Sequence, residues 1–128
     1  ADLAERFESD EALDAGTVVE IGGSAEITKA QNELSDNVFG VISDRAGYLM
    51  NARKGKDNIT HPAVAMTGRV PVKVKGVVNK GDRLVSAGDG FARSALPGEA
   101  TAFNVIGRAL ASKLDTNIGT VEAIVTIK

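Results

Sequence analysis

One histidine and no cysteine set the first limit on chemistry in this 128-residue chain. Without thiols there is no disulfide, no thiol nucleophile and no cysteine-held zinc or iron–sulfur centre. His61 alone cannot build a multi-histidine metal site. As a catalytic base it would need a nucleophile and an orienting acid brought to it by the fold. Pro62 follows it and biases it to extended backbone, so it reads as a loop or strand-edge residue. The acidic start (Glu5, Glu8, Asp10, Glu11, Asp14) lacks the Asp-x-Asp-x-Asp-Gly spacing of a calcium loop and reads as a solvated face. Gly22-Gly23 lacks the Lys-Ser/Thr and helix of a phosphate loop, and no Gly-x-Ser-x-Gly elbow occurs. The sequence therefore predicts no catalytic residue, no metal site and no cofactor.

The remaining candidates are contact residues. Tyr48, Met50 and Asn51 form an apolar-aromatic patch in a Gly-flanked stretch, and exposed Tyr and Met favour interfaces. The other reading is a loop anchored into the core. Arg53 and Lys54 open a basic run, Arg53-Lys54-Gly55-Lys56, that would suit an anion or a polysaccharide, or simply a solvated loop. With Tyr48, Met50 and Asn51 these two make a candidate partner or receptor contact. Pro71, Lys73 and Lys75 lie on the polar side of an alternating strand and are a candidate oligomer interface. Lys73 and Lys75 fall in mid-strand, not on a hairpin tip, which argues against a swinging-arm domain carrying lipoyl or biotin.

Composition removes further classes. A net charge of −2 argues against a nucleic-acid binder. No apolar run approaches eighteen residues, so no membrane insertion is predicted, and no signal-peptide pattern opens the chain. With no Trp and one Tyr there are few side chains to stack on sugars or bases. The length suits one domain with its own core. Ala1-Asp2-Leu3-Ala4-Glu5 reads as mid-protein sequence, so a fragment or processed end of a longer protein is expected.

Fourteen glycines punctuate short runs rich in Val and Ile, the pattern of many short strands. Thr17 to Ile21 and Ala25 to Lys29 read as a hairpin about Gly22-Gly23. Phe39 to Ser43 is another strand, and the tract from Asp44 to Pro62 a long surface loop. Ala63 to Met66 continues past Gly68 into a clear alternation, with Val70, Val72 and Val74 on one face and Arg69, Pro71, Lys73 and Lys75 on the other. Pro71 cannot donate to a ladder, so an edge or bulge is expected there. Arg83 to Ser86 and Phe91 to Arg93 make a hairpin about Gly88-Asp89-Gly90. Asn104 to Leu110 and Thr120 to Ile127 close the chain as strands. Two helical turns are expected near the start. One runs from Leu3 to Phe7, with Asp2 as N-cap and Glu5 three residues on; the other runs from Ser9 to Leu13 and ends near Gly16.

The chain also resembles itself. Residues 15–30 align with residues 80–95, placing Gly16 on Gly81, Gly23 on Gly88 and Ala30 on Ala95, and Asn37-Val38-Phe39-Gly40 matches Asn104-Val105-Ile106-Gly107. Two pseudo-symmetric β units, about 15–50 and 80–115, are expected within a single domain spanning 1–128. The predicted fold is all-β, of mainly antiparallel short strands, in a compact barrel or sandwich.

The tracts at 1–10, 15–23, 40–51, 68–90 and 105–110 occur in an order that resembles C-terminal domains of bacteriophage tail fibres and related virion structural proteins. The acidic start and the Gly40-Val41-Ile42-Ser43 strand are distantly similar to the self-cleaving intramolecular chaperone domain of phage neck appendages. No catalytic residue carries over from it. The resemblance implies a non-enzymatic module on the exterior of the phage particle, a fibre end domain or a capsid decoration. Its implied partners are further copies of itself, with a trimer favoured, other virion proteins, and a host-surface glycan. The alternatives are a self-cleaving chaperone domain and a carbohydrate-binding module.

Overall fold

A computed structural model describes residues 1–52 and 56–126. Among these, every regular element is a strand: β1 (Asp2–Arg6), β2 (Val18–Ile21), β3 (Ile27–Lys29), β4 (Val38–Ile42), β5 (Tyr48–Met50), β6 (Ala63–Val74), β7 (Arg83–Gly88), β8 (Phe91–Ser94), β9 (Gly107–Ala109) and β10 (Gly119–Val125). Most pairings are antiparallel, but β1–β5 and β6–β8 are parallel, so the sheet is mixed.

The expected helical turns are absent. Asp2 to Arg6 is a strand paired on both sides, with β5 and β6. Its capping pattern would satisfy only local groups, whereas ladders on both edges pair the strand and bury Ala4 completely. Ser9 is extended as well: it bridges Ile27 and donates its N–H to the Thr60 carbonyl at 2.9 Å. Among the described residues between Asp44 and Pro62, Tyr48 to Met50 form the strand β5, where only loop was expected.

The 12 residues of β6 organise the molecule. Its second half pairs with β10, β10 with β9, β9 with β7, β7 with β8, and β8 returns to β6, closing a five-stranded barrel. Its first half pairs with β1 and β4, β4 with β2, and β2 with β3, whose Ile27 reaches back to Ser9 just beyond β1. Gly68 (φ +110) lies between the two halves, where a Cβ would come 2.5 Å from the Ala1 carbonyl oxygen. Val70, Val72 and Val74 point inward, as their alternation requires. Pro71 falls where β6 needs no donor on its free side. Arg69 and Lys73, two residues either way, give their N–H groups to Ala1 and Gly16 there, and alternation puts the missing Pro71 donor between them.

The three strands β2, β3 and β4 and the three strands β7, β8 and β9 share a register. Val19 faces Lys29 and Gly40; Leu84 faces Ser94 and Gly107. Ile42 exchanges bonds with Gly16 and Thr17, and Ala109 with Gly81 and Asp82. The apolar residues gather in two clusters. Val19, Ile27, Ile42 and Val64, packed by Phe7, Leu13 and Phe39, fill the smaller one. Leu84, Ala92, Ile106 and Ala109 lie in the larger one with the valines of β6 and β10.

Candidate functional site

His61 is half-buried with Nδ1 2.9 Å from the Thr60 hydroxyl, which also lies 3.2 Å from the Asp57 carboxylate. A catalytic triad needs the imidazole between acid and nucleophile. Here the hydroxyl stands between acid and imidazole. Asp57 also accepts the N–H groups of Ile59 and Thr60, both at 2.9 Å, and these bonds hold its carboxyl below the usual range. The arrangement is a turn that fixes a loop. The loop is tied down by Arg6, which donates to the His61 carbonyl at 2.7 Å.

The proposed contact residues sit on β5 and its flank. Tyr48 is 66% exposed, while Leu49 and Met50 are half-buried beside β1. Asn51 takes a positive φ of 54° and donates to the Arg6 carbonyl, anchoring the strand's end. Arg53 and Lys54 lie outside the described residues. Pro71 is exposed opposite Glu122. Lys73 and Lys75 lean over the Phe91 ring, 5.4 and 4.9 Å from its centroid, and Lys73 also pairs with Asp14 at 3.6 Å. These lysines are thus engaged within the chain, and Lys73 lines a small polar hollow walled also by Glu11, Lys29 and Asp89. The acidic start, read as a solvated face, supplies Glu11 and Asp14 to that hollow. Among the described residues no three carboxylate or imidazole groups are placed to hold a metal ion.

The larger surface feature lies elsewhere. A mostly apolar groove of about 570 Å³ runs over β9 and β10, lined by Val105, Leu110 and Ile124 with Lys80 and Arg108 at its rim. Arg108 lies flat, donating Nε and Nη2 to the Gly81 carbonyl at 2.9 and 2.8 Å. A smaller hollow of about 330 Å³ adjoins it at Gly81 and is lined by Arg83, Ala95 and Leu96. The sequence reading missed this groove. Its signal was the alternation of β10: Val121, Ala123 and Val125 are inward, which leaves Ile124 outward on an otherwise polar face.

No family model matches the sequence, and no curated protein matches it. Solved structures do match. The C-terminal fragment of bacteriophage phi29 gene product 12 superposes with a TM-score of 0.70 at 16% identity, over 98% of this chain and 100% of that one. The fold is one found in phage proteins. The pre-mature phi29 gene product 12 gives 0.69 at 17% identity over 100% of this chain, which spans 21% of that longer protein. The N base of the phi29 head fiber gp8.5 gives 0.56 at 15% identity, over 94% of this chain and 91% of that one.

Proposed function

We propose that the chain is a non-enzymatic structural module of a bacteriophage particle, acting in the assembly of a homotrimer on the virion exterior. The observation that carries this reading is the end-to-end fold likeness to the C-terminal fragment of a phage protein. A head fiber base has the same architecture over most of its length. The surface supports it. Ile21, Tyr48, Leu96, Phe103 and Ile124 are large apolar side chains left exposed, and exposed apolar area around a groove suits a partner. In this reading Tyr48, Met50 and Asn51, with Arg53 and Lys54, form the outward contact to another virion protein or a host-surface glycan. The face of Pro71, Lys73 and Lys75 borders a contact between copies.

The shared register of the two strand groups supports a second proposal, that 15–50 and 80–115 are two copies of one β unit. A three-stranded unit buries too little by itself; paired through β6, the two units cover each other.

Light scattering on a sizing column tests the assembly reading. A particle of three times the 13.3 kDa chain mass is expected. A single-chain mass at every concentration would overturn the view that this domain drives assembly.

A further inference from the structure

The open groove has a counterpart in the first strand group, and that counterpart is covered. Val18, Val38, Val41 and Ala65 form one face there and are all buried, none more than 5% exposed. The shared register places Arg83, Val105, Arg108 and Ile124 at the same positions in the second group: Val41 faces Val18 and Ala65, as Arg108 faces Arg83 and Ile124. Those four residues line the groove and the hollow beside it. In the first group the tip of the β7–β8 hairpin docks at the end of the β2–β3 ladder, beside that face. Val18 donates to the Gly90 carbonyl at 2.8 Å, and Gly90 donates to the Ala30 carbonyl at 2.9 Å. Among the described residues nothing bridges Arg83 and Ala95 in the same way.

The other hairpin tip, between β2 and β3, is tied to Glu8 on one side, where Glu26 and Ile27 donate to the Glu8 carbonyl, and is exposed on the other. Ile21 at its base is 54% exposed, Glu26 is exposed, and the Asp10 carboxylate lies against Gly23. An apolar side chain flanked by carboxylates is the complement of an apolar groove rimmed by Lys80, Arg83 and Arg108.

We infer that the β9–β10 groove receives the β2–β3 hairpin of a second copy of this chain. The contact is head-to-tail: groove and hairpin are different surfaces, so each chain offers one of each, and repetition closes a ring or extends a fibre. This inference rests on the assembly reading and names its interface.

Two variants test it by light scattering. Ile124→Arg blocks the groove alone, and Ile21→Asp blocks the hairpin alone. Both alter exposed positions, and unchanged melting curves establish that each variant folds. Where Ile124→Arg melts early, Arg83→Glu on the same rim replaces it. Each variant alone should run at the single-chain mass, and an equal mixture should recover a two-chain particle, since one intact groove meets one intact hairpin. If Ile21→Asp assembles like the unaltered chain, or if the mixture stays single-chain, the hairpin is not the occupant although assembly itself stands. If the unaltered chain never assembles, both readings fall.

Discussion

The Lys29 ammonium stands 2.9 Å from the Asp89 carboxylate, across the seam between the two strand groups. Asp89 holds the Lys29 ammonium above its ordinary range, and Lys29 draws the Asp89 carboxyl below its own. Both groups face water, where such a pair contributes little to stability. The seam is fastened instead by the backbone around Gly90, which bonds to Val18 and Ala30.

That contrast gives a first prediction. Gly90 holds a φ of +78°, and a Cβ there would come 2.8 Å from Thr17 Cγ2. Gly90→Ala should cost about 2 to 3 kcal/mol, from strain plus overlap. Lys29→Met should leave the urea midpoint within error at physiological salt. Equal losses for the two variants would mean that the ion pair, not the backbone, fastens the seam.

Gly40 and Gly107 occupy matching positions and are crowded in the same way. A Cβ on Gly40 would come 2.5 Å from the Ala65 carbonyl oxygen, and one on Gly107 would strike the Ile124 carbonyl oxygen. Neither obstacle is a flexible side-chain end, so a strand must shift. Gly40→Ala and Gly107→Ala should each lower stability by about 1 to 3 kcal/mol in denaturant titrations. A neutral Gly107→Ala would show that β10 has slack where the barrel closes.

Acid should unfold the protein through a small set of carboxylates. The hydrogen bond from Arg93 leads in holding Glu99 below its ordinary range, and that from Lys113 leads in doing so for Asp115. A carboxyl whose folded pKa is depressed adds stability that is fully present above its unfolded value and is lost as pH falls through the folded one. The melting temperature should therefore stay level from neutral pH down to about 5 and drop below about 4. Glu99→Gln should melt lower than the unaltered protein at pH 7 and alongside it at pH 2. A constant gap at both values would remove Glu99 from the acid limb.

Much of the strand map was legible because it depends on local signals. Gly16, Gly81 and Gly88 take positive φ values at turns, and the period-two pattern of β6 fixes its buried face. What the sequence could not show was which strands share a ladder. Asp2 to Arg6 carries residues that suit a helix, and only its neighbours β5 and β6 make it a strand. Those neighbours are distant in sequence, so the tertiary ladders override local preference. The site was less legible than the fold. Lys73 and Lys75 looked free on an exposed face, but Phe91 and Asp14, which engage them, come from other segments. The groove over β9 and β10 exists only once the barrel is closed.

The two apolar clusters give the last prediction. Val19 belongs to the smaller cluster and Leu84, its counterpart in register, to the larger one; both are fully buried. Leu84→Ala should cost about 2 to 5 kcal/mol through lost burial and the cavity left behind. Val19→Ala removes two methyl groups and should cost about 2 kcal/mol. Sites without shared neighbours add, to within about 0.5 kcal/mol, whereas sites in one packed cluster do not. The double variant should therefore lose the sum of the single losses. Because β6 supplies Val64 to one cluster and Val72 to the other, unfolding should remain a single transition even as the losses add. A double variant well short of the sum would mean that the two clusters pack as one core. A split transition would mean that β6 does not couple the two halves.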